Sequence, residues 1–201
     1  MKKYLYIVLL IVFFGCNQKK TSKTGKLQVV TTTTMITDLL KNVGGDKIEV
    51  RGLMGAGVDP HLYKASEGDV SKLFNADVVV YNGLHLEGKL EEVFEKMRYQ
   101  NKKTIAVSDA IDKNTLIASE FFASNYDPHI WFDIENWELI TTYVVDQLSE
   151  LDGKNASFYK ENGAVYLEKL AALKMKITAM INSVPVEKRI LVTAHDAFNY
   201  F

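Results

Sequence analysis

From Lys26 to Asp109 the chain alternates between two textures, and this alternation restricts the fold more than any other feature. The stretch "LQVVTTTT" (27–34) is short and β-branched, as a buried strand is. "MITDLLKNVGG" (35–45) then carries apolar residues at helical spacing and stops on Gly44 and Gly45. Strand texture returns in "KIEVRGLM" (47–54), "DVVVYNG" (77–83) and "KTIAVSD" (103–109). Two more helices are predicted between these strands. "SEGDVSKLFNA" (66–76) has Ser66 as its cap and Asp69 in its first turn, and "LEGKLEEVFEKM" (86–97) carries Leu86, Leu90, Val93, Phe94 and Met97 on one face. Strands alternating with helices imply βαβ units, a parallel sheet and helices on both of its faces. Such α/β sheets take ligands in the loops beyond the carboxyl ends of the strands. His61 and His85 follow predicted strands there, and His129 lies in a longer loop after the fourth.

The second half reads differently. "ENWELITTYVVDQLSEL" (135–151) is a predicted helix, and 155–184 a single much longer one, striped by Phe158, Val165, Leu170, Leu173, Ile177 and Ile181. Gly163 weakens it locally and Pro185 ends it. A helix of about 30 residues runs about 45 Å, longer than a small domain is wide, so it is expected to connect two lobes. "KRILVTA" (188–194) is then a fresh predicted strand, and "HDAFNYF" the opening turn of a helix. The expected organisation is an N-terminal α/β lobe over 27–152, a linking helix over 153–185, and the start of a second, truncated α/β lobe over 186–201.

The N-terminus speaks to compartment. "MKKYLYIVLLIVFFGC" has a basic start, an apolar run too short to span a bilayer, and the chain's one cysteine where that run ends. A buried thiol and an intermolecular disulfide are possible roles for a lone cysteine, but "FFGC" resembles a bacterial lipobox. Residues 1–15 are therefore expected to be a signal peptide, Cys16 a lipidated residue, and the polar stretch 16–26 a tether to the membrane. A formal net charge of −1 argues against a nucleic-acid partner.

The tripeptide Asp-Pro-His occurs at 59–61 and again at 127–129, in a chain with three prolines and four histidines. Proline fixes its own φ and pushes the preceding aspartate into an extended conformation, so each copy is a stiff corner that projects an imidazole from a defined point. His195 follows the predicted strand 188–194 at once, in the same kind of position. Three histidines brought by three loops to one cleft would make a nitrogen-rich site with room for one more ligand, suited to a divalent transition metal. Asp59 and Asp127 could each accept a hydrogen bond from an imidazole N–H and orient it, or could only shape the turn. Asp133, Glu135 and Asp196 read as helix caps or exposed charges, and Trp131 and Trp137 as packing residues.

"GVDPHLYKASEGDVSKLFNADVVVYNGLHLEGKLEEV", "DPHIWFD" and "TAHDAFNYF" together resemble the zinc/manganese-type solute-binding lipoproteins of bacterial ABC transporters, the metal-binding TroA-like family. The resemblance runs from about residue 27 to the end, with the three signatures in the family's order. It implies two α/β lobes joined by one long rigid helix, with the metal in the cleft between them. It also implies that His61, His129 and His195 are ligands and that a fourth, a carboxylate, lies beyond Phe201. His85 falls in a matching stretch but is not at a family ligand position. Within that resemblance histidine at 195 leans toward Zn²⁺; against it, "DKNTLIASEFFASNY" lacks the histidines of zinc-specialised relatives, which keeps Mn²⁺ close behind, with iron a further possibility. The implied role is capture of the ion by a monomer in the cell envelope, lipid-anchored on the periplasmic or extracellular face of a bacterial membrane, and its delivery to an ABC permease. A secreted zinc hydrolase is the alternative enzyme, although neither H-E-x-x-H nor G-x-S-x-G occurs. A surface adhesin would explain the lipid anchor, which also fits cell adhesion, but not the repeated D-P-H.

Overall fold

The computed structural model of the protein describes residues 25–201. The expected signal peptide, Cys16 and nearly all of the tether lie outside these residues. Four short strands build one sheet: β1 (Leu27–Thr31), β2 (Ile48–Gly52), β3 (Val78–Tyr81) and β4 (Lys103–Ala106). Every pairing is parallel and the order is β2-β1-β3-β4. Val29 is in register with both Val50 and Val78, which places β1 at the centre.

The strand β3 reads as an unbroken apolar run, VVVY, because helices cover the sheet on both sides. Val29, Val78, Val80 and Ile105 point to one core, shared with α1 (Thr34–Gly44), α4 (Ile134–Leu151) and α5 (Ala156–Asn182). Their neighbours Val30, Val79, Tyr81 and Ala106 point to the other, against α2 (Glu67–Asn75) and α3 (Glu91–Tyr99). All four residues of β3 are buried. The parallel α/β sheet expected from the alternation is therefore the observed one.

Strand order reverses between β1 and β3, and ligands of open α/β sheets collect beyond the carboxyl ends at such a switch point. Ser66 caps α2 in a reciprocal box with Asp69, as its position predicts.

Three expectations need correction. Helix α3 starts at Glu91, not at 86, because the chain first turns through positive φ at Gly83, Leu84 and His85 and folds Glu87 inward under the strand ends. Leu86 and Leu90 are buried by that turn rather than as a helical face. The strand expected over 188–194 does not form. A single 3₁₀ turn (Val186–Lys188) is followed by a run without a ladder partner, and Ile190, Leu191 and Val192 are exposed. β-branched sequence supplies propensity, but a strand exists only where another strand takes its hydrogen bonds, and none of the described strands lies beside it. Nor is 195–201 the first turn of a helix; its side chains grip the sheet domain instead.

Helix α5 runs 27 residues, about 40 Å. Its buried positions are Tyr159, Gly163 and Leu170, with Tyr166 and Leu167 half-buried, whereas Val165 and Leu173 of the predicted stripe are exposed. Gly163 is not a weak point. A Cβ there would lie 2.5 Å from Val145 Cγ2, so the glycine lets α4 and α5 approach closely. Gly163→Ala is expected to cost a net ~1 kcal/mol, overpacking outweighing alanine's better helix propensity. In a Val145→Ala background the same change should be neutral or stabilising, which denaturant titration of the double-mutant cycle would read.

Candidate metal centre

Each Asp-Pro-His copy forms the corner its sequence predicts. In both, the aspartate Oδ1 accepts the backbone N–H of the histidine two residues on, at 2.8 Å for Asp59–His61 and 2.9 Å for Asp127–His129. There the copies diverge. Asp127 Oδ1 also accepts from the imidazole Nδ1 of His129 at 2.6 Å, while Asp59 only shapes its turn. Asp127 is fully buried and His129 nearly so, at 2% exposure. His61 is half-buried and His195 exposed.

That one bond fixes the tautomer of His129. A carboxylate only accepts, so the His129 proton is on Nδ1 and its Nε2 presents a bare lone pair. His61 Nε2 lies 3.2 Å and His195 Nε2 3.1 Å from this atom. All three ligand atoms fall within 4.8 Å of one another. Tetrahedral nitrogen ligands at ~2.05 Å from a zinc ion are ~3.3 Å apart, close to the two separations from His129 Nε2. Burial lowers the pKa of His61 below its ordinary value of 6.5, and the repulsion that two protonated rings would feel between His61 and His129 lowers it further. Burial likewise lowers that of His129, against the pull of Asp127. Both rings are thereby kept neutral, the form that ligates.

The surroundings are aromatic. Trp131 meets the His129 ring edge-on at 5.3 Å, and Phe122 lies 5.5 Å from the same ring and 6.0 Å from that of His61. Trp137 packs within the domain, its Nε1–H donating to Tyr166 at 3.3 Å. Asp133 caps α4, and Glu135 pairs with Lys174 at 2.6 Å. His85 stands apart from the cluster, exposed and 3.8 Å from Glu91. Asp196 is exposed.

Sequence reasoning missed four participants. Glu87, wholly buried, takes the Thr32 hydroxyl at 2.6 Å and the backbone N–H groups of Asn82 and Gly83 at 2.8 and 3.3 Å, tying together the ends of β1 and β3. The Asn82 side chain in turn donates to the carbonyl of Pro128, inside the second corner. Asn199 and Tyr200 hold Asp127 from the far end of the chain. Nothing in the local pattern marks these residues, although "NG" and the turn it makes could have pointed to an interrupted helix.

The family description "Zinc-uptake complex component A periplasmic" (ZnuA) matches residues 29–201. The chain belongs to the ZnuA family. It is 44% identical over 207 residues to the manganese-binding lipoprotein MntA of Bacillus subtilis, a match covering 100% of this chain and 67% of the relative. It is also 44% identical to the zinc-binding protein TroA of Treponema pallidum, over 91% of this chain and 58% of that protein. The solved structure of the periplasmic zinc-binding protein TroA from Treponema pallidum superposes with a TM-score of 0.84 at 42% identity, covering 88% of this chain and 63% of that one. The chain thus spans about three-fifths to two-thirds of the length of these ZnuA-family relatives.

Proposed function

We propose that the protein is an extracytoplasmic lipoprotein of the cell envelope, anchored through Cys16, that captures a divalent transition metal as cargo and passes it to an ABC permease. The observation that carries this reading is the convergence of three imidazole Nε2 atoms, two of them 3.1 and 3.2 Å from a third whose tautomer a buried carboxylate fixes. His61, His129 and His195 are the proposed ligands, with one coordination position left for a further donor. Three neutral nitrogens suit Zn²⁺ first and Mn²⁺ second; the relatives' names include both metals. The long α5, mostly exposed beyond Leu170, is the proposed link to a second lobe, and the protein is proposed to act as a monomer.

The test is titration of the chelator-treated protein with Zn²⁺ and with Mn²⁺ at pH 7.5 and 5.0. Protons compete for the same lone pairs, and the His61 and His129 pKa values lie below 6.5, so affinity is expected to hold down to about that pH and fall beneath it. At least about tenfold weaker zinc binding at pH 5.0 is the expected result. Equal affinities at the two pH values would overturn ligation by imidazole.

A further inference from the structure

We propose that Asn199 and Tyr200 are positioning residues for the metal site, so that seating the segment that carries His195 also fixes the ring of His129. The proposal rests on the metal-capture reading, and its starting point is Asp127. A fully buried carboxylate needs a donor on each oxygen, because an unpaired one pays its whole desolvation cost. Oδ1 is taken by the backbone and ring N–H groups of His129. Oδ2 is taken by Asn199 Nδ2 at 2.9 Å. Tyr200 holds the main chain of the same residue, donating its hydroxyl to the Asp127 carbonyl at 3.2 Å while accepting the Ile117 N–H at 3.0 Å.

These two residues lie four and five positions after His195 on one short segment. Residues 190–194 before it are exposed and belong to no strand, so residues 197–200 seat the segment. Ala197 is buried, and the Phe198 ring lies 4.5 Å from that of Phe132. Docking of 197–200 therefore does two things together. It brings the His195 imidazole to the cluster, and it closes the hydrogen-bond chain Asn199–Asp127–His129 that presents the His129 lone pair. Outer partners of this kind set ligand tautomer and orientation, and their loss costs about 10–100-fold in metal affinity. Two of the three ligands are in this way coupled through a carboxylate that neither supplies.

The experiment compares the parent with Asn199→Leu, which keeps side-chain bulk without the amide, and with Tyr200→Phe, which keeps the ring and loses only the hydroxyl. Long-range ¹H–¹⁵N spectra of the metal-free protein at pH 7.5 read the His129 tautomer, and Zn²⁺ titration reads affinity. The expected parent signal is a single Nδ1–H tautomer. Asn199→Leu should give a mixture and bind zinc at least about tenfold more weakly. Combined with His195→Ala, its loss should be less than additive, because undoing the docking already withdraws His195 from the cluster. An unmixed tautomer with unchanged affinity in folded Asn199→Leu, or strictly additive losses, would overturn the proposal. Should Asn199→Leu not fold, Tyr200→Phe decides by the same two readouts. A parent that bound neither Zn²⁺ nor Mn²⁺ would overturn the capture reading, while the tautomer comparison would still decide this one.

Discussion

Replacing His129 by alanine is expected to reduce zinc affinity by several hundredfold, more than the same change at His61 or His195. Structural zinc binding of ~10–16 kcal/mol shared among four ligands gives ~3–4 kcal/mol for each, a few hundredfold or more in Kd. His129 should lie at or above the top of that range because its loss does more than delete a donor. Its Nε2 is the atom against which both other imidazoles are set, at 3.1 and 3.2 Å. Its ring also occupies the Nδ1–H bond to Asp127, and alanine would leave that buried oxygen with the backbone donor alone. His195 is exposed and His61 half-buried, so water can replace part of what either loses. The control is His85→Asn, outside the cluster, where asparagine tolerates the local φ of 58°. Calorimetric titration with Zn²⁺ checks the order. His129→Ala binding zinc like the parent would remove the centre from the cluster.

The doubled Asp-Pro-His was legible because its mechanism is local. A proline and the residue before it restrict each other whatever the rest of the chain does, and both corners fold as that restriction predicts. What made the two copies unequal was not legible. Asp59 and Asp127 stand in the same tripeptide, and only burial together with a donor 72 residues away separates their roles. The sheet was legible for a similar reason, since alternating strand and helix textures leave few ways to cover both faces. Failures came where local preference needed a distant partner. "KRILVTA" has strand composition but no neighbour to pair with, and "LEGKLEEV" has helical spacing, yet Glu87 is drawn out of it by three donors at the strand ends.

Glu87 leads to a large expected effect on stability. Burial raises its pKa from 4.5 to about 7, against the lowering effect of the Thr32, Asn82 and Gly83 hydrogen bonds. The folded protein therefore holds a proton that the unfolded chain has released, across the window from about pH 4.5 to about 7. Stability falls with rising pH wherever the folded state binds more protons. The contribution of Glu87 is thus complete below pH 4.5 and lost as pH rises through about 7, ~3 kcal/mol in all for a group screened from solvent. His61 and His129 act in the opposite sense, since their folded pKa values are lowered. Stability that they withhold at low pH returns as pH rises toward 6.5, so the parent curve alone would mix the two signs. The difference between parent and Glu87→Gln isolates the carboxyl. Glutamine keeps an oxygen for Thr32 and Asn82 and meets Gly83, the longest of the three contacts, with a poor partner. Denaturant titrations of metal-free protein at pH 5 and pH 8 should show the parent losing ~3 kcal/mol relative to the variant on going up in pH. Parallel stability curves would mean that Glu87 is ionised throughout and that its three donors, not a proton, sustain it in the core.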